Sequence, residues 1–248
     1  MKEIWHKSMS KNNTKIFADS NSLVTEISSW IQNIVLKAIE QRGQAYIALA
    51  GGSTPKVIYQ ALATANLPWE QLQVFWGDER YVPATDPNSN ELMARQSWLN
   101  LVPIPATNIH PWPTGADQPE QCAAEYQTEI YKCFELSPGQ IPQFDLVLLG
   151  MGDDGHTASL FPHTSALGVI DRLTTVGSKD GQPRLTFTTT IINQAHCVAF
   201  VVTGANKQAA LQQVFSHTAD PQQYPAKLIQ PQGELWWWLD AVAAQVLS

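Results

Sequence analysis

The chain has 248 residues, 44% of them hydrophobic and 15% charged, with a formal net charge of −7. That composition is ordinary for a folded globular chain with a sizeable core, and disorder is expected only near the start. The acidic balance excludes a nucleic-acid backbone or an anionic membrane as partner, but a local cluster of Lys and Arg can still hold one small anion.

The opening MKEIWHKSMSKNNTK lacks the apolar stretch of a signal peptide, and no run approaches a membrane span. Cys122, Cys133 and Cys197 are odd in number and lack metal-ligand spacing, so reduced thiols in a cytoplasmic protein are expected. Residues 1–248 are expected to form a single domain with 1–15 flexible.

From Ser20 to Arg42, Leu23, Ile27, Ile31, Ile34, Val35, Ala38 and Ile39 recur at helical spacing, and Gly43 stands where a C-terminal cap belongs. AYIALA then reads as a short buried strand, followed by the glycine turn GGSTP and the helical pattern KVIYQALATA. The alternation continues with strand LQVFWGD, helices SNELMARQSWLNL and AAEYQTEIYKCF, strands FDLVLLG and HCVAFVVTG, and helix NKQAALQQVF. The closing ELWWWLDAVAAQVL predicts a strand with Trp rings on both faces, in preference to a platform on which bases stack. Together these predict a doubly wound, mostly parallel α/β sheet of Rossmann-like type with helices on both faces. The Pro-rich segment 103–119 reads as a loop inside that pattern.

In such sheets ligands bind beyond the carboxyl ends of the strands, so four loops carry the chemistry. Gly51 and Gly52 let the backbone approach a ligand, Ser53 or Thr54 is expected to cap the next helix, and Pro55 suits its first position. The reading is a phosphate cradle or a plain capped turn. Asp78, Glu79 and Arg80 put three charges at a strand end, in a pocket or on a solvated turn. Lys207, in the first turn of a helix, opposes the helix dipole unless an anion sits there; an exposed lysine is the plainer reading.

The fourth loop, GMGDDGHT, spells G-x-G-x-x-G after a strand. Asp153 and Asp154 would repel a pyrophosphate, and Pro162 interrupts the helix a dinucleotide site needs. His156 and His163 also lack the spacing of a helical zinc pair. What remains is one imidazole, His156, on a glycine turn, suited to general acid–base work near neutral pH or to capping the loop.

Taken in order, LAGGSTP, GDERYVP, DPNSN, GMGDDGHTASLFP, PRLTFT and VTGANK resemble the 6-phosphogluconolactonases, within the wider glucosamine-6-phosphate isomerase/deaminase superfamily. Ala50 departs from the Ser expected in many members, which a backbone cradle tolerates. The resemblance implies hydrolysis of 6-phospho-D-glucono-1,5-lactone by a monomer, or at most a weak homo-oligomer, with no organic cofactor and no metal. It implies phosphate binding by Gly51, Gly52, Ser53, Thr54 and Lys207, with Arg184 as a further anion contact. His156 is then the base and acid, Asp78 orients or polarises it, and Arg80 neutralises developing charge or meets the phosphate. Ser159 lies outside any nucleophile elbow. Asn88 or Ser89 is expected to cap the following helix, with Asn90 and Arg95 structural.

Two rivals share parts of this pattern. A non-catalytic sugar-phosphate sensor would carry a DNA-binding module, and no basic helix-turn-helix precedes Ser20. Deaminases of the superfamily have Asp-Glu-Tyr in place of Asp78-Glu79-Arg80 and a run like HIAFNEP in place of HTASLFP. Release of ammonia from glucosamine 6-phosphate is therefore expected to be absent; a catalysed release in a coupled assay would move the chain to the deaminase side.

Overall fold

The computed structural model describes residues 13–247. In chain order they form β1 (Thr14–Phe17), α1 (Ser20–Arg42), β2 (Ala45–Leu49), α2 (Ser53–Leu62), β3 (Leu72–Trp76), β4 (Asp78–Arg80), α3 (Asn90–Ala94) and α4 (Pro119–Cys133). There follow β5 (Leu146–Leu149), β6 (Thr174–Lys179), β7 (Gln182–Phe187), α5 (Thr189–Ile192), β8 (Cys197–Val202), α6 (Gln208–Phe215), β9 (Glu234–Asp240) and α7 (Ala241–Ala244).

The main sheet is the expected parallel one, in the order β1-β9-β8-β5-β2-β3 with every neighbouring pair parallel. β5 and β8 are buried along their whole length, because covering layers leave neither face to water. α1 buries Leu23, Ile27, Ile31, Val35 and Ala38 as one stripe. The Asp19 carboxylate accepts the Ser22 N–H at its start, and Gly43, at φ +80°, donates its N–H to the Ile39 carbonyl at its end. β9 carries the Trp run as predicted: Trp237 stacks on Phe200 with ring centroids 4.1 Å apart, and Trp238 on Phe17 at 5.5 Å.

Three features depart from the sequence expectation. Thr14 and Lys15, expected to be flexible, belong to β1 and pair with Trp237 and Trp238; the rest of the stretch expected to be flexible lies outside the described residues, apart from Asn13. The Lys15 ammonium lies 4.7 Å from the Trp238 ring centre, an attraction that a four-residue strand does not advertise in its pattern. The second departure is an antiparallel sheet, β4-β7-β6, in which Asp78–Arg80 pairs with residues 184–186 rather than forming a loop. The third is that α3 passes at Arg95 into a π-turn that runs to Leu99.

The chain steps from β2 to β3 on one side and later enters β5 on the other side of β2. The carboxyl ends of β2 and β5 therefore flank the topological switch point, where an open α/β sheet leaves a crevice. The loops GGSTP and GMGDDGHT leave from those two ends. Among the described residues no helix is long and apolar enough to cross a membrane.

Candidate active site

A cleft of about 250 Å³ opens at the switch point. It is lined by the loop after β2 (residues 50–55), by Asp78, Arg80 and Asn90, by Gly150–Gly152 and His156 after β5, and by Thr203 and Lys207 after β8.

The loop after β2 starts its helix differently from the expectation. Gly52, at φ +112°, is the N-cap, Ser53 is the first helical residue and Pro55 the third, and no side chain caps the helix. Thr54 Oγ1 lies instead 2.9 Å from Thr203 Oγ1, which ties the loop to the end of β8. The first N–H groups of α2 thus have neither intrahelical carbonyl nor side-chain cap, in a segment that lines the cleft. Gly51 is required by its neighbour: a Cβ there would fall 1.9 Å from Asn90 Oδ1.

Asn90 in turn donates its Nδ2–H to the Asp78 carbonyl at 2.9 Å. Ser89 caps α3 through Leu92 N–H, one of the two expected residues. Glu79 points away from the cleft and anchors that helix. Its carboxylate accepts the N–H groups of Arg80, Asn90 and Glu91 at 2.8, 2.7 and 2.8 Å, and the Ser89 hydroxyl at 3.2 Å. Burial raises the Glu79 carboxyl above its usual range, and those N–H groups oppose the rise.

Asp78 and Arg80 do line the cleft, one on each side of Glu79. Asp78 Oδ2 accepts the Ser159 hydroxyl at 2.7 Å. The surrounding protein pushes its carboxyl up by desolvation, against the Ser159 bond and the charges of Arg80, His156 and Arg184. Arg80 donates to the Asn88 carbonyl, and Arg184, expected as an anion contact, stands opposite it in register on β7 but does not itself line the cleft. Burial first, and then the Arg80 charge, lower the Arg184 guanidinium below its usual value. Two facing cations are unfavourable alone, and a bound anion would relieve them.

His156 has a partner that differs from the predicted Asp78. Its Nδ1 lies 2.6 Å from Asp154 Oδ1, and the same oxygen accepts its main-chain N–H at 2.9 Å. Asp78 is occupied with Ser159, whereas Asp154 lies in the same turn, two residues away. Partial burial raises the Asp154 carboxyl, but the two His156 hydrogen bonds and the imidazole charge more than reverse this, to about 2. Asp154 is therefore ionised at neutral pH and only accepts, so Nδ1 carries a proton, and in the neutral imidazole the lone pair is on Nε2. Gly152 makes room for the pair, since a Cβ there would fall 2.0 Å from His156 Nδ1 and 2.4 Å from Asp154 Oδ1. The Phe161 ring lies 4.5 Å from the imidazole.

Lys207 ends a short turn and is the N-cap of α6, just ahead of the helical turn predicted for it. Gly204, at φ +94°, begins that turn, and its N–H donates to both oxygens of Asp240 at 3.1 Å. Asn90, Thr203, Ser159 and Asp154 were not singled out as site residues by sequence. For Asp154 the D-x-H spacing in a glycine turn was the available signal.

The family model described as glucosamine-6-phosphate isomerases/6-phosphogluconolactonase matches residues 18–238. A 6-phosphogluconolactonase from Synechocystis sp. is 61% identical over 86% of this chain and 89% of its own. One from Nostoc sp. is 54% identical over 96% of this chain and 99% of its own. The solved 6-phosphogluconolactonase from Trypanosoma cruzi superposes with a TM-score of 0.85 at 30% identity, covering 98% of this chain and 100% of that one.

The raised Asp78 carboxyl has a consequence for stability. A folded-state pKa above the unfolded 3.8 means that the folded protein keeps this proton to higher pH, so stability falls as pH rises through that window. Asp78→Asn is expected to raise Tm at pH 7 while lowering turnover, with the thermal gain shrinking as pH falls toward 3.8. Melting curves at both pH values measure it.

Proposed function

The chain belongs to the glucosamine-6-phosphate isomerase/6-phosphogluconolactonase family, on its lactonase branch, and on that premise we propose that it hydrolyses 6-phospho-D-glucono-1,5-lactone to 6-phospho-D-gluconate with His156 moving the proton. The observation that carries this reading is the Asp154–His156 pair with its free Nε2, set in the same cleft as the Gly51–Thr54 loop and Lys207.

The phosphate is the handle. N–H groups of Gly52, Ser53 and Thr54 and the Lys207 ammonium hold it, Arg184 adds its charge from across Arg80, and the binding energy of the phosphate fixes the lactone carbonyl at the His156 end. Nε2 then takes a proton from water as the water oxygen bonds to C1, and the carbonyl π pair moves onto its oxygen. Arg80 faces that developing oxyanion. Asp154 holds the ring in the required tautomer, and its charge and that of Asp78 favour the imidazolium that forms. When the tetrahedral centre collapses, the C1–ring oxygen bond breaks and the imidazolium returns its proton to that oxygen. One residue serves as base and then as acid, so the chemistry requires no metal, organic cofactor or covalent nucleophile.

The protein acts as a monomer in the cytoplasm on a small sugar-phosphate lactone. Three free cysteines fit a reducing compartment.

The test is a lactonase assay on freshly generated 6-phosphogluconolactone, corrected for spontaneous hydrolysis; no acceleration by the wild-type protein would end the reading. His156→Ala is expected to lower kcat roughly 100-fold or more and to leave 6-phosphogluconate binding intact. Lys207→Ala is expected to act mainly on KM, raising it about tenfold. Equal loss of binding in both variants would contradict the division of roles.

A further inference from the structure

The Asp154–His156 pair sits on a turn closed by its own hydrogen bonds and tied on its inner side to the end of β5 by the Thr157 hydroxyl, which donates to the Gly150 carbonyl at 2.8 Å. Gly152 N–H donates to the His156 carbonyl at 2.8 Å and Gly155 N–H to the Gly152 carbonyl at 3.2 Å. Gly155, between the acid and the imidazole, holds φ at +80°, which side chains rarely adopt.

The outer support comes from residues 220–226. Tyr224 packs on the bare Cα of Gly155, where a Cβ would fall 2.8 Å from Tyr224 Cδ1 and 3.3 Å from its Cα and Cβ. Ala226 N–H donates to the Gly155 carbonyl at 2.9 Å. At the far end of the same loop, His163 N–H donates to the Gln222 carbonyl at 3.1 Å, and His163 Nε2 lies 2.7 Å from Gln223 Oε1. One segment therefore grips the catalytic loop at Gly155 and again at His163.

That segment is itself anchored. The Asp220 carboxylate accepts Gln222 N–H at 2.9 Å, its carbonyl accepts Tyr224 N–H at 3.0 Å, and Pro225 and Ala226 are buried. Just beyond, Lys227 donates its ammonium to the carbonyls of Val214 and Ser216, at the C-terminal end of α6. The N-terminal end of α6 carries Lys207. The segment thus spans from the helix that presents the lysine to the turn that presents the imidazole.

We propose that Tyr224 is a positioning residue for the lactone hydrolysis assigned above: it seats the Gly155 turn so that the Asp154–His156 pair is held at the distance from Lys207 that the substrate needs. Tyr224 does not line the cleft, so it acts on the reaction only through that turn. The contact is made by ring and backbone carbons, so the hydroxyl is dispensable. A displacement of about 1 Å at a reacting group lowers turnover by roughly 100-fold, while phosphate binding at the Gly51 loop is left alone.

The experiment compares Tyr224→Ala and Tyr224→Phe in the full chain. The Ala variant is expected to lose roughly ten- to hundredfold in kcat, with KM and 6-phosphogluconate affinity within about twofold of wild type. The Phe variant is expected to match wild type. In proton NMR of 15N-histidine protein, the His156 Nδ1 proton bonded to Asp154 is expected as a sharp downfield resonance in wild type and the Phe variant, and broadened or lost in the Ala variant. Wild-type kcat in the Ala variant, an unchanged resonance, or KM rising in step with the fall in kcat would each overturn the proposal. If Tyr224→Ala does not fold, Tyr224→Leu is judged by the same criteria. The resonance is read without substrate, so a wild-type protein with no lactonase activity would sink the assigned reaction and leave the role of Tyr224 to the spectrum.

Discussion

Parallel neighbours can be joined only by crossovers, and crossovers are right-handed. β2 has β3 on one side and β5 on the other. The chain's two steps in opposite directions must therefore leave by opposite faces, and no helix can cover the gap between their starting points. α2 packs against α1, and α4 against β6 and β7. Asp78, Arg80, His156 and Lys207 all line the cleft that opens over that gap. The site is a result of strand order first and of residue choice second.

Residue choice then separates the carboxylates by environment. Asp145 is buried and spent on structure, accepting the Tyr46 N–H at 2.8 Å and pairing with Arg42. Glu79 is likewise spent on the start of α3. Asp154 is half in solvent and kept ionised by the imidazole it holds, whereas Asp78 is pushed toward its neutral form by the protein around it. Neighbouring acids with opposite tendencies are the usual means by which one cleft supports different electrostatic roles.

Apart from the edge strand β1, the parallel sheet was legible because its inner strands are apolar on both faces and because α1 repeats its buried residues through Ala38. The small antiparallel sheet was not, although a signal was present: Asp180 and Gly181, at φ +51° and +78°, form the Asp-Gly turn between β6 and β7 that favours a hairpin. β4 offers three charged residues and no alternation, so only its pairing with β7 reveals a strand. His156 was found because a glycine turn at a strand end is a local pattern. Its partner Asp154 is less legible, because in sequence its charge speaks only against a pyrophosphate and it is the folded turn that brings it to Nδ1. Tyr224 left no local trace, since packing on a distant glycine has no sequence period.

Thr54 and Thr203 share one hydrogen bond across two loops. Each hydroxyl owns one hydrogen, so the bond between them uses one and leaves the other seeking an acceptor. Whichever threonine donates inward, its partner turns a hydrogen outward, beside N–H groups and an ammonium that also only give. That end of the cleft is thus rich in hydrogens to donate. On the function proposed above, the phosphomonoester dianion, which only accepts, suits it better than the monoanion, which brings a hydrogen of its own.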